Sequence, residues 1–287
     1  MKLQDNAPRV IFSPFESRHG YLARVYVTIL LHALKRSRFS RQDLSGLIFL
    51  CVAPILYMLG VKIVRSPIGK LYIKDRELLR SIVYGFFKTH FCYIKDIALI
   101  GGKTHFSLVV DVGANIGDFT LRTANVADRV IAIEPGKRNF LNLEANLRIN
   151  SVANVLALNF AVTKFCEPLF MEGNTSDLFV SSKDRGEAVE GFPLDLICEK
   201  CVIRNIDVLK LDVQGHELQA LAGMDQLLRD KSAKLIIIEV HLKRGVKAGD
   251  VVSFMTRYDY YLIHRDDYLF DQPHLYFMPA SIEQSKT

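Results

Sequence analysis

From about residue 109 onward, short apolar runs alternate with longer stretches whose apolar residues recur at helical spacing. Val109–Val112 precedes a helix starting near Asp118, and the run 130–134 precedes the amphipathic stretch 139–150. A third apolar run, 154–162, leads into the polar, glycine-bearing stretch 163–192, which predicts an irregular or hairpin insertion. A short helix, a strand at 207–213, a helix at 216–230, a strand at 234–241 and one more helix follow. Two closely spaced strands, YYLIH at 260–264 and LYFMP at 275–279, end the pattern. Near-continuous Val/Ile/Leu runs separated by helices predict a mainly parallel sheet covered on both faces, and the paired final strands predict an antiparallel edge. In such sheets ligands collect beyond the carboxyl ends of the strands.

The first 68 residues read differently. A short strand, GKLYIKD, opens at Gly69 and a largely helical stretch runs over 75–100, so the predicted organisation is a basic, apolar helical N-terminal segment, 1–68, followed by a main domain, 69–287. The segment holds two apolar stretches, 21–34 and 44–61, with the basic cluster Lys35, Arg36, Arg38 and Arg41 between them. The second stretch has 18 residues without a charge but is interrupted by Pro54 and Gly60. Three readings stay open: a membrane-surface or re-entrant anchor over 21–64, a single span, or helices packed on the main domain. Charge sharpens the contrast. Residues 1–80 carry 14 Lys/Arg against 5 Asp/Glu, whereas the remainder carries 23 against 26, so the net +6 belongs to the N-terminal part. The N-terminus lacks a secretory pattern, and the five cysteines are scattered, so the expected setting is cytoplasmic, with possible membrane association.

The first strand runs into a loop, VVDVGANIGDFT at 109–120. A dinucleotide fingerprint requires G-x-G-x-x-G, but here the second and third glycines are replaced by Asn115 and Asp118. No Gly-Lys-Ser/Thr ending follows, so phosphate cradling is disfavoured. A cationic ligand suits the loop better: Asp111 offers charge at the strand end, while Gly113 and Gly117 admit a close backbone. Glu134, ending the next strand, stands where an acid takes both hydroxyls of a ribose. A ribose joined to a cationic amino-acid tail describes S-adenosylmethionine. The plainer alternative is a capping Asp111 and glycines that merely turn.

Together with VIAIEPGKRNFLNLEANLRIN, ALNFAV, IDVLKLDVQGHELQALAGM and IIIEVH, this loop resembles the FkbM family of S-adenosylmethionine-dependent methyltransferases over about residues 70–280. The resemblance implies a Rossmann-like methyltransferase fold: a mainly parallel seven-stranded sheet with an antiparallel edge strand. It further implies S-adenosylmethionine as cofactor. Asp111, Gly113, Ala114, Asn115, Gly117 and Asp118 would surround its methionine part, Glu134 and Pro135 its ribose, and Asn159 or Ala161 its adenine. Most of the family carry Glu where Gln214 stands here.

Methyl transfer needs positioning and a route for a proton. Asp212 ends the fourth strand on the same face as Lys210, which makes it the first candidate as base, orienter or ligand to the cofactor's amine. His216 and Glu217 follow at a helix start, where the alternative role of Glu217 is a favourable charge at the helix terminus, and Glu239 and His241 end the fifth strand. Asp212, Glu239 and His241 form a possible oxygen/nitrogen ligand set, but three scattered residues leave the expectation at no metal. The lone Cys198-x-x-Cys201 lacks a second ligand pair and reads as ordinary thiols. The expected activity is O-methylation of a small molecule, a glycan or a lipid-linked acceptor, with no nucleic acid as partner. The alternative is a non-catalytic scaffold at a membrane.

Overall fold

The alternation of buried runs and amphipathic stretches builds three sheets. The computed structural model describes residues 105–174, 177–183, 185–267 and 272–280, with 52, 55, 58–60, 62–66 and 69–72 from the N-terminal part. In chain order the strands are β1 (Ile63–Ser66), β2 (Gly69–Tyr72), β3 (Phe106–Val112), β4 (Ala127–Ile133) and β5 (Val155–Leu158). They continue with β6 (Ala161–Val162), β7 (Glu167–Asn174), β8 (Asp177–Val180), β9 (Glu187–Phe192) and β10 (Ile206–Leu211). The last are β11 (Ala233–Glu239), β12 (Tyr260–Asp266) and β13 (His274–Pro279). Among the described residues the α-helices are α1 (Asp118–Ala124), α2 (Lys137–Ile149), α3 (Leu194–Lys200), α4 (Glu217–Ala222), α5 (Asp225–Arg229) and α6 (Ala248–Thr256).

The main sheet has the order β12-β13-β11-β10-β3-β4-β5. Strands β11, β10, β3, β4 and β5 are parallel, with β5 at one edge, and β13 and β12 close the other side through antiparallel pairs. All six residues of β10 are buried, as central placement between two helical layers requires. Two apolar clusters fill the faces: Val110, Val112, Leu209, Leu211 and Ile238 lie on one, Val109, Val130, Val208 and Ile237 on the other. Each fully buried side chain of this type contributes about 1.5–3 kcal/mol of transfer free energy. At the amino end of β10, buried Asp207 accepts from the backbone N–H of Ser107 at 2.7 Å and from Lys234 Nζ at 2.7 Å, fixing the start of three strands.

Several expectations change in detail. The apolar run 154–162 splits at Asn159 and Phe160, so β5 stays in the main sheet while β6 enters a second sheet of order β6-β9-β7-β8. That second sheet occupies the stretch expected to be an irregular or hairpin insertion: β7 and β8 do form a hairpin, and β9 pairs back onto β7. The helix expected over 216–230 breaks at Gly223, where a Cβ would lie 2.1 Å from the carbonyl oxygen of Thr163. Ile63–Ser66, in the N-terminal segment expected to be helical, is instead a strand paired antiparallel with Gly69–Tyr72. Asn146 of α2 and Asn150, which caps its C-terminus, bind the backbone of β2, with Oδ1–N distances of 3.0 and 2.7 Å. The stretches 21–34, most of 44–61 and the helix expected at 75–100 lie outside the described residues. Among the described residues no helix is long and apolar enough to cross a membrane.

Candidate active site

The carboxyl ends of β3, β4 and β10 open into one cleft, where ligands collect in sheets of this kind. Its floor is formed by Gly113, Asn115, Glu134, Pro135 and Asp212, and its far wall by Met171, Leu178 and Val180 of the second sheet. Three backbone bonds seat the loops. Gly113 N–H and Ala114 N–H donate to the Ile133 carbonyl at 2.9 and 3.0 Å, and Asp212 N–H donates to the Val112 carbonyl at 3.0 Å. Gly113 has φ +80°, and a Cβ there would stand 1.8 Å from the backbone oxygen of Asp212. Glycine is therefore required for the first loop to pack on the fourth strand's end. Asn115 and Gln214 also adopt left-handed backbone, each with φ 52°.

Glu134 is the best-held acid of the cleft. Its Oε2 accepts from Asn115 N–H at 2.8 Å, and its Oε1 from Gly136 N–H at 3.0 Å and Asn139 Nδ2 at 3.4 Å. Burial pushes its carboxyl up to about 7, and those three bonds offset only part of that effect. Asn159 stiffens the same loop by donating to the carbonyls of Glu134 and Pro135 at 2.8 and 2.9 Å.

Asp111 requires a correction. Instead of facing the cleft it is fully buried beneath the loop, where it accepts from Thr120 Oγ1 at 2.6 Å and lies 3.4 Å from Lys210 Nζ. Burial raises its pKa, against the pull of Lys210 and Thr120. Lys210 Nζ is also 3.4 Å from Asp212 Oδ2, so the lysine bridges the buried acid to the cleft acid. Ala114 is buried too, Gly117 caps α1 with φ +92°, and Asp118 lies in that helix's first turn; none of the three lines the cleft.

Of the five catalytic candidates, Asp212 and His216 line the cleft. Glu217, Glu239 and His241 are 0%, 0% and 2% exposed and lie behind Asp212, because β11 and the start of α4 are inside the core there. Glu217 Oε1 accepts from Gly215 N–H at 2.9 Å and meets His241 Nδ1 at 2.6 Å. For His241, burial would lower the pKa, but the bond to Glu217 and the charges of Glu239 and Asp212 reverse this and leave it raised. His216 Nε2 is 3.0 Å from Thr163 Oγ1, whose proton goes to Glu167 Oε1 at 3.3 Å. Nε2 of His216 therefore donates, Nδ1 holds the lone pair, and burial lowers the pKa of the ring. Cys198 is buried on α3, which raises its thiol to about 12, so it is an inert core group.

Asp212, Glu239 and His241 come together, with one ligand atom from each lying within 4.8 Å of the others. Met171, Leu178 and Val180 were invisible to sequence reasoning, since a hairpin's contacts with a distant cleft leave no local pattern. Asn139, five residues after Glu134 in the first turn of α2, was within reach of inspection as a partner for that acid.

The family model for the methyltransferase FkbM domain matches residues 111–262, from the first loop to the sixth strand of the main sheet in chain order. Hexuronic acid methyltransferase AglP of Haloferax volcanii is 27% identical over 149 residues, which cover 51% of this chain and 60% of AglP. AMB antimetabolite synthetase AmbE of Pseudomonas aeruginosa is 28% identical, over 53% of this chain and 9% of its own length. The chain thus spans less than two thirds of either curated relative. Among solved structures, methyltransferase FkbM from Methylobacillus flagellatus KT aligns with a TM-score of 0.47 at 17% identity, covering 84% of this chain and 63% of that one.

Proposed function

The chain belongs to the FkbM family of S-adenosylmethionine-dependent methyltransferases, and from that premise we propose that it methylates a hydroxyl oxygen of a sugar acid within a glycan. The observation that carries the cofactor's placement is Glu134, a buried acid at the cleft floor with both oxygens oriented by neighbouring donors. A ribose diol would add its two hydrogen bonds to that carboxylate. The methionine part would then run past Gly113 toward Asp212, and the adenine would lie against Ala161 and the apolar wall of Met171, Leu178 and Val180. The sugar-acid acceptor is favoured by the likeness to a hexuronic acid methyltransferase.

In the reaction the acceptor oxygen attacks the methyl carbon in line with the sulfur. The O–CH3 bond forms as the S–CH3 bond breaks, and the sulfonium becomes a neutral thioether. The acceptor's hydroxyl proton goes to His216 Nδ1, in a ring that its lowered pKa keeps neutral and able to accept at physiological pH. Asp212 orients the cofactor's amine or the acceptor. Glu217, Glu239 and His241 act behind it and do not touch the reacting atoms.

The test is transfer of labelled methyl from S-adenosylmethionine to glucuronic- or galacturonic-acid oligosaccharides. His216→Ala should lower kcat by about 10²–10⁴-fold, with S-adenosylhomocysteine affinity changed less than about threefold, on the order of 0.6 kcal/mol. Binding of S-adenosylhomocysteine with no transfer to any hydroxyl acceptor would favour the scaffold alternative. An active His216→Ala variant would remove the assigned base.

A further inference from the structure

The buried group behind Asp212 has the form of a cation site. We propose that Asp212 Oδ1, Glu239 Oε1 and His241 Nε2 bind a divalent first-row transition-metal ion whose open positions face the cleft. The argument starts from His241. Its Nδ1 is 2.6 Å from Glu217 Oε1, an acceptor that also takes Gly215 N–H, so Nδ1 is the donor there and Nε2 is the nitrogen left to meet a ligand. That Nε2 has no hydrogen-bond partner among the described residues, in a side chain only 2% exposed. It points between two carboxylates, 3.5 Å from Glu239 Oε1 and 3.7 Å from Asp212 Oδ1. A divalent cation between these three atoms would replace the proton that Nε2 otherwise takes up and would balance the two carboxylates.

The separations favour an ion over a shared proton. At 3.5 and 3.7 Å they are long for an N–H···O bond, whose usual span is about 2.7–3.2 Å. They approach the roughly 3.4 Å edge of a tetrahedron whose metal–ligand bonds are about 2.1 Å long. The remaining contacts fit an outer layer that orients ligands: Glu217 holds the far nitrogen of His241, and His274 Nε2 lies 3.3 Å from Glu239 Oε2. Lys210 meets Asp212 through the other oxygen, Oδ2, and shares its charge with Asp111, so it does not occupy the ion's position. One imidazole with two carboxylates suits Mn²⁺ or Zn²⁺. Asp212 reaches the cleft, so the open positions would take oxygens of the acceptor, and a polarised hydroxyl loses its proton to His216 more readily. That role rests on the methyl-transfer reading above, whereas occupancy of the site does not. The proposal departs from the sequence expectation of no metal.

Mn²⁺ alone, added to chelator-treated full-length protein, is titrated by electron paramagnetic resonance. One ion per chain with a micromolar Kd is expected, with Asp212→Asn and Glu239→Gln each weakening it at least tenfold. Because a buried Glu239→Gln side chain can disturb folding, circular dichroism accompanies each variant. A measurement on the wild type needs no variant: Mn²⁺ should broaden the ring resonances of His241 and His274 far more than those of His264. No saturable binding by folded wild type, equal binding by both folded variants, or uniform broadening would overturn the site. Mn²⁺ binding by a chain that transfers no methyl group would support the site while counting against the reaction assigned above.

Discussion

Glu134→Gln separates the charge of the cleft acid from its shape. The wild-type carboxyl has its pKa pushed up to about 7 from the ordinary 4.5, mainly by burial. A ribose diol donates to the ionised form, so the apparent Kd carries the factor by which protonation depletes that form. With a pKa near 7 the cofactor binds about tenfold more weakly at pH 6 than at pH 8. The same shift has a stability consequence of opposite sense. The folded state holds the proton more tightly than the unfolded state between pH 4.5 and 7, so this group's contribution is most favourable below the lower value and declines as pH rises through the upper one. The full change is about 3 kcal/mol. Gln titrates nowhere in this range. Its variant should bind S-adenosylhomocysteine with the same affinity at pH 6, 7 and 8. At pH 8 it should bind about 10–150-fold more weakly than wild type, the loss expected for a hydrogen bond to a charged group worth about 1.5–3 kcal/mol. Calorimetric titration at three pH values reads both effects, and thermal unfolding of the free protein reads the linkage. Wild-type affinity that is flat across pH 6–8, or a Gln variant with the wild-type slope, would refute the reasoning.

Two further substitutions probe the support of the site. Gly113→Ala meets both a left-handed backbone and the Asp212 carbonyl, and should cost about 2–5 kcal/mol by chemical denaturation, combining backbone strain with overpacking. Gly245→Ala also has positive φ, at +88°, but meets nothing within 4 Å, so it serves as the strain-only control. It should cost about 1–2 kcal/mol, and equal costs for the two would remove the close-packing argument. Lys210→Met leaves Asp111 and Asp212 without the ammonium that bridges them and should cost about 3–5 kcal/mol near pH 8. Part of that loss should return as the pH is lowered, because Asp111, with its raised pKa, can then become neutral. A denaturation midpoint that does not move with pH in this variant would contradict the bridging role.

The parallel sheet was legible because β3, β4, β10 and β11 are largely buried on both faces and so read as near-continuous apolar runs. Gly113, Glu134 and Asp212 were legible for a related reason, each being a polar or glycine break where such a run ends. Asp111 misled because chemistry at a strand end does not reveal which way the side chain turns. Thr120, nine residues on, draws it into the core. Glu217, Glu239 and His241 were found as residues but not as a buried unit, since the contact between Glu217 and His241 spans 24 residues and depends on how α4 docks against β11. The second sheet's contribution to the cleft was hidden by the same long-range geometry: Leu178 packs so near Gly136 that a Cβ there would lie 2.2 Å from its Cδ2, and no local periodicity encodes that approach.

The central claim is that Glu134, the Gly113 loop and Asp212 form one site for S-adenosylmethionine. The most direct measurement is a crystal structure of the chain with S-adenosylhomocysteine. The account predicts both ribose hydroxyls on the Glu134 carboxylate and the amino-acid tail between Gly113 and Asp212. Ligand density elsewhere, or a ribose that does not contact Glu134, would contradict it.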